Sequence, residues 1–196
     1  MVRLRLSGRH ENADLLHATL DDQVAKLTRL IPEYIFAMQD QPIERTVFDM
    51  LLDKNMTYAS AESCTGGNIA HVITLIPGSS DVFKGTAVTY ATPMKTKVLG
   101  VPAEMIEKHG VVSQQVVESM AVGVRNLMEA DFGVATTGVA GPSGGTEENP
   151  VGTVWIGVAS PLGVVSKRFH FGKDRENVIN RATIAAYEML RQELTR

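Results

Sequence analysis

Ala61-Glu62-Ser63-Cys64-Thr65-Gly66-Gly67, entered from Met56 to Ala61 and left through Asn68 to Leu75, reads as a strand, a tight turn and a helix. A serine and a threonine followed by two glycines at such a turn gather hydroxyls and bare backbone N–H groups at one point. The positive end of the helix dipole adds to them. The place suits an anion, or a serine oxygen presented for attack. The competing reading is that Ser63 or Thr65 only caps the helix.

Outward from that stretch, apolar strands alternate with amphipathic helices. Toward the N-terminus, Ile43 to Lys54 is a helix with Val47, Met50, Leu51 and Leu52 apolar. Before it, Val2 to Leu6 and Tyr34 to Met38 read as short strands around a helix over Asn12 to Ile31. Toward the C-terminus, strands are expected over Phe83 to Tyr90, Phe132 to Thr137, Thr153 to Ala159 and Val164 to Phe171. Helices are expected over Pro93 to Leu99, Pro102 to His109, from the cap at Ser113 through Met128, and from Arg175 to Leu194 behind Asp174. In the helix after Ser113, Val116, Val117, Met120, Val124, Leu127 and Met128 form the expected buried side.

This pattern predicts an α/β fold, a three-layer α/β/α sandwich with a mixed, mostly parallel sheet. Residues 1–40 form a small strand–helix–strand extension and residues 41–196 the main domain. The hairpin Thr153–Phe171 makes the sheet mixed. The N-terminal arm makes a homodimer the expected assembly.

The formal net charge of −3 gives no basis for a nucleic-acid or membrane surface. One cysteine excludes an internal disulfide and fits a reducing cytoplasm. No apolar run approaches membrane-spanning length, and the first residues lack the apolar core of a signal peptide. The expected protein is cytoplasmic, without a membrane partner. No set of His, Cys, Asp and Glu has metal-ligand spacing, so neither a metal nor a cofactor is expected.

A serine hydroxyl is a weak nucleophile and needs an activator. No Gly-x-Ser-x-Gly elbow is present, and none of the five histidines sits in a polar constellation. A lysine held neutral by desolvation can serve as base instead. Lys95, just after the strand that ends near Tyr90, is the candidate, against a solvated surface lysine. Cys64 reads as a small buried residue behind the turn rather than a thiol nucleophile.

The second glycine-rich run, Gly138-Val139-Ala140-Gly141-Pro142-Ser143-Gly144-Gly145, lies between two apolar strands, where its backbone can approach a ligand closely. It opens no helix and is no dinucleotide fingerprint, and residues 61–67 are no Walker loop. Arg175, at the start of the last helix, is placed for a phosphate or carboxylate, although pairing with Asp174 or Glu176 is the simpler expectation. Arg181 is a weaker alternative.

Four ordered motifs together resemble the C-terminal domain of the CinA family, the nicotinamide-nucleotide amidase. They are the 61–67 run, Val88-Thr89-Tyr90 with Lys95, residues 138–145, and Pro150-Val151-Gly152-Thr153-Val154-Trp155. The resemblance runs from about Ile43 to the C-terminus. Val2 to Met38 looks like the tail of the family's linker domain.

The resemblance implies a small nucleotide substrate and hydrolysis of nicotinamide mononucleotide to nicotinate mononucleotide and ammonia, in pyridine-nucleotide salvage, without a metal. Carried over, the serine is Ser63, the tyrosine Tyr90, the lysine Lys95 and the arginine Arg175. The expected substrate-binding residues are Thr65, Gly66 and Gly67, with N–H groups near Thr65 and Gly66 for the oxyanion, and Gly138, Gly141, Gly144 and Gly145, whose loop is expected with Arg175 to hold the phosphate and ribose. The chain departs from the family twice. Ala91-Thr92 replaces a Ser-Asn pair after the tyrosine, and Lys173 is inserted in the Gly-Asp-Arg-like segment. The alternative function is a nucleotide-binding or sensing module without turnover, serving a competence or damage response through a partner.

Overall fold

The structure, a computed structural model, describes residues 2–196. It divides into two units, one ending at Pro42 and one spanning Ile43–Arg196.

In the first unit, helix α1 covers Ala13–Leu30, and the Asn12 side chain accepts the Leu15 N–H at 3.0 Å. Leu16, Leu20, Val24 and Leu27 are half-buried, and no residue of α1 is fully buried. A 3-10 turn, Pro32–Tyr34, follows. The segments 2–6 and 34–38, expected as strands, are not strands. Their apolar side chains line, with Leu20, Val24 and Leu27, a cavity of about 640 Å³. Alternation supplies a half-apolar face, but without a ladder between backbones no strand is defined.

The second unit is a five-stranded sheet in the order β2-β1-β3-β4-β5. The strands are β1 Tyr58–Glu62, β2 Phe83–Val88, β3 Phe132–Gly138, β4 Thr153–Ser160 and β5 Gly163–His170. The central β1 pairs in parallel with both β2 and β3, whereas β4 pairs antiparallel with β3 and β5. The sheet is thus mixed, with every strand but β4 running the same way. Every residue of β1 is buried, as a strand covered on both faces must be.

Helices α2 (Ile43–Lys54), α3 (Asn68–Thr74) and α7 (Arg175–Leu194) pack together on one face. On the other face, α6 (Gln114–Leu127) lies across β1, β3, β4 and β5, and carries α4 (Thr92–Leu99) and α5 (Ala103–His109). The core between α6 and the sheet is built from Val116, Val117, Met120 and Val124 against the small residues Ala59, Ala61, Ala87, Ala135 and Ala159. Leu127, expected on the buried side, is exposed, while its neighbours Val124 and Met128 pack against the core.

The caps read from sequence are present. Ser113 accepts from Val116 N–H, and Asp174 accepts from Asn177 N–H at 2.9 Å. The connections leaving β1 and β2 pass to opposite faces. Ser63, directly after β1, therefore sits at the carboxyl end of the sheet where the strand order reverses, the crevice in which α/β proteins bind ligands.

Candidate active site

The turn after β1 is closed from within. The Ser63 carbonyl accepts the Gly66 N–H at 3.1 Å, and the Thr65 carbonyl accepts the Asn68 N–H at 3.1 Å. Gly66 and Gly67 take φ of 63° and 102°, the left-handed region that glycine enters without penalty. Glu62, fully buried, folds back over the turn. Its carboxylate accepts the N–H groups of Gly67 at 2.9 Å, Ile69 at 3.1 Å and Ala70 at 2.9 Å. The Ser60 and Thr86 hydroxyls donate to it at 3.3 and 3.4 Å.

Glu62 was missed by the sequence reading. Its signal was an acidic side chain just ahead of a helix start. The expectation that Gly66 and Gly67 offer free N–H groups to a ligand is corrected, since Gly66 N–H donates to the Ser63 carbonyl and Gly67 N–H to the Glu62 carboxylate. The Thr65 hydroxyl is likewise turned inward, 2.8 Å from that of Thr136 on β3.

Lys95 lies in the first half of α4, behind Pro93, and only 1% of it is exposed. Its Nζ stands 2.7 Å from the Thr89 carbonyl and 3.1 Å from Ser63 Oγ. Burial pushes its pKa below the ordinary lysine value of 10.5, opposed only by the nearness of Cys64. Burial also pushes the Cys64 thiol up to about 12, so near neutral pH it carries no charge that could hold Lys95 protonated. The surface-lysine alternative is therefore excluded. A neutral amine has two N–H donors and one lone pair. With one N–H fixed on the Thr89 carbonyl, the lone pair can face the Ser63 hydroxyl.

Tyr90 and Arg175 form a second pair. Arg175, the first residue of α7, donates through Nη2 to the Tyr90 hydroxyl and through Nη1 to the Gly141 carbonyl, both at 2.6 Å. Pairing with Asp174 or Glu176, the simpler expectation, is replaced by these two contacts. Tyr90, 58% exposed, thus meets Arg175, while the backbone of Thr89 orients Lys95. Arg181 lies elsewhere, 5.7 Å over the ring of Phe171.

The 138–152 loop is internally bonded. Val139 N–H donates to the Thr153 carbonyl at 2.8 Å and Gly152 N–H to the Val139 carbonyl at 2.7 Å. Asn149 ties the tip to the Val112 carbonyl at 3.2 Å. Gly138 is pressed against β4, where a Cβ would come within 2.9 Å of the Val154 Cα, so its small size serves packing. Gly141 faces Arg175 through its carbonyl, whereas Gly144 and Gly145 border an open depression at the loop's mouth.

Among the described residues, no group of three or more His, Cys, Asp and Glu is placed to hold a metal ion, and no helix is long and apolar enough to cross a membrane.

The family model described as the CinA C-terminal domain matches residues 40–194. A CinA-like protein of Flavobacterium psychrophilum is 45% identical over 194 residues, 98% of this chain and 46% of that protein. A putative competence-damage inducible protein of Caldicellulosiruptor saccharolyticus is 40% identical over 193 residues, 98% of this chain and 47% of that protein. The chain thus spans about half the length of the curated relatives it matches.

Among solved structures, the competence/damage inducible protein CihA from Agrobacterium tumefaciens superposes with a TM-score of 0.76 at 36% identity, covering 79% of this chain and 94% of that one. A CinA superfamily protein from Klebsiella pneumoniae gives 0.75 at 31%, covering 79% and 99%. With the matching region embracing the whole sheet, the Ser63–Lys95 pair and the glycine loop, the chain belongs to the CinA C-terminal domain family.

Proposed function

We propose that this domain hydrolyses the carboxamide of nicotinamide mononucleotide, giving nicotinate mononucleotide and ammonia, with Ser63 as nucleophile and Lys95 as base. The observation that carries the reading is a buried amine, lowered in pKa, 3.1 Å from a serine oxygen at the carboxyl end of the sheet. The choice of substrate follows from the resemblance of the four motifs.

Ser63 Oγ attacks the carboxamide carbon while Lys95 Nζ takes its proton. The resulting ammonium returns a proton to the amide nitrogen as the C–N bond breaks, and ammonia leaves. This leaves an ester on Ser63. Water then attacks the ester carbon, Lys95 again accepting a proton, and the carboxylate product departs as Ser63 regains its hydrogen. The Thr65 N–H, which has no acceptor among the described residues, is the donor assigned to the oxyanion. Such a donor is typically worth about 3 kcal/mol. Arg175 and Tyr90 hold the substrate at the loop side of the pocket.

A second reading, a nucleotide-sensing module, is favoured by the competence-damage names that several relatives carry. The two separate on product. Incubation with nicotinamide mononucleotide is expected to yield nicotinate mononucleotide and ammonia in equal amounts. Binding of the intact nucleotide without either product supports the sensor instead.

A further inference from the structure

One buried polar group beside the base is left over. Among the side-chain nitrogens and oxygens of the described residues, the Thr89 hydroxyl alone is buried without a hydrogen-bond partner. Thr89 is also the residue whose carbonyl holds Lys95 Nζ at 2.7 Å. We infer that Thr89 is a positioning residue for the charged base: its hydroxyl oxygen takes an N–H of Lys95 once the amine has accepted a proton. Carbonyl and hydroxyl of one threonine then hold the ammonium together. The inference rests on the serine–lysine reading above and deepens it.

Other buried hydroxyls in the domain are paired. Ser60 and Thr86 meet each other and Glu62, Thr65 meets Thr136, and Thr137 and Thr183 donate to the Val111 and Ile179 carbonyls. Thr89, only 2% exposed, cannot use bulk water instead. An unpaired hydroxyl in so dry a place is unfavourable, and a side chain of the same shape without it would suit the resting site better. The reaction supplies what the hydroxyl lacks. Lys95 Nζ has two partners, the Thr89 carbonyl and Ser63 Oγ. As an ammonium it carries three N–H donors, one more than those partners accept. The two oxygens of Thr89 are joined through Cα and Cβ, and rotation about that bond swings the hydroxyl toward the group already on the carbonyl. The Thr89 N–H, bonded to the Ala87 carbonyl at 3.1 Å, anchors the backbone that presents both.

No carboxylate makes an ion pair with this ammonium among the described residues. Glu62 is turned into the N–H groups of α3, and burial keeps Cys64 a neutral thiol. Tyr90 is held by Arg175. On α6, the helix packed against α4, Glu118 accepts from Gln114 and Ser166, and Arg125 donates to the Ser160 carbonyl. Lys84 on β2 and Lys97 on α4 are exposed and of like charge. The neutral oxygens of Thr89 are therefore the means at hand for stabilising the charged base.

The test compares Thr89→Val and Thr89→Ser with the parent in the full chain. Lys95 is titrated by carbon-13 NMR of lysine-labelled protein, its signal assigned from Lys95→Met, and ammonia release from nicotinamide mononucleotide is followed against pH. Thr89→Val is expected to lower the Lys95 titration midpoint by about one pH unit, because the ammonium loses an acceptor. It is expected to lower kcat on its high-pH plateau about tenfold and to move the rising limb to lower pH by the same step. Its melting temperature should equal or exceed that of the parent, since a buried unpaired group is removed. Thr89→Ser, which keeps the hydroxyl, should keep the parent midpoint and most of the turnover. An unmoved midpoint in Thr89→Val overturns the inference, as does parent-rate turnover in that variant or an equal loss in Thr89→Ser. The hydrolase reading fails separately. A midpoint that moves with valine and returns with serine, in a parent that releases no ammonia, keeps the threonine–lysine pairing and removes the amidase. Ammonia release with an unmoved midpoint does the reverse.

Discussion

Lys95→Met is expected to lower ammonia release from nicotinamide mononucleotide about a thousandfold while leaving the protein folded. Methionine fills most of the volume of the lysine stem and needs no partner, and the site it enters is almost fully shielded from water. Removing the amine leaves the buried Thr89 carbonyl without its donor, at a cost of about 1–3 kcal/mol. The melting temperature should therefore fall by only several degrees while turnover falls about a thousandfold, which separates loss of the base from loss of structure.

The same lysine sets the pH dependence. Its pKa lies below 10.5 because burial disfavours the ammonium. The free-base fraction, and with it kcat, should rise with pH and level off above that lowered pKa, earlier than an ordinary lysine would allow. A flat pH–rate profile, or a Lys95→Met variant with near-parent turnover, contradicts the assignment.

The largest effect on stability is expected from Glu62→Gln. The fully buried Glu62 carboxylate is the common acceptor for three backbone N–H groups and two hydroxyls. A carboxamide has one acceptor oxygen, and its NH2 faces donors wherever it is placed. At least one buried N–H is then left unpaired and the charge-assisted character of the others is lost, together about 3 kcal/mol. For a domain of this size that corresponds to a fall in melting temperature of roughly 6–12 °C. Thermal denaturation followed by circular dichroism measures it directly. A change under about 1 kcal/mol would show that water reaches the turn and replaces the carboxylate.

The motif-bearing parts of this fold were legible because their signals are local. The 58–62 strand, the glycine turn and the helix behind it follow from apolar run, left-handed glycines and periodicity, all within a few residues. Ser113 and Asp174 announce their helices as N-caps. The segments 2–6 and 34–38 misled because alternation describes one chain, whereas a strand is a relation between two backbones.

The site was legible in its residues more than in its contacts. Thr89 orients Lys95 through a carbonyl, a group every residue has, so no side-chain pattern could mark it. Arg175 reaches Tyr90 across 85 positions of sequence, and only the folded sheet brings the two together. Glu62 reads as an anomaly in an apolar strand until the helix that it caps wraps back above it. The buried hydrogen bonds that define the turn are also what make its glycine N–H groups unavailable, which residue identity alone does not reveal.

The most direct test of the Ser63–Lys95 amidase is ammonia release from nicotinamide mononucleotide, with a metal chelator present, by the parent chain and by Ser63→Ala. The expected result is steady release by the parent, matched by nicotinate mononucleotide, and none above background from the variant, which still melts at the parent temperature. Release at the parent rate by Ser63→Ala would contradict the nucleophile, and no release by the parent, with the nucleotide bound, would contradict the enzyme.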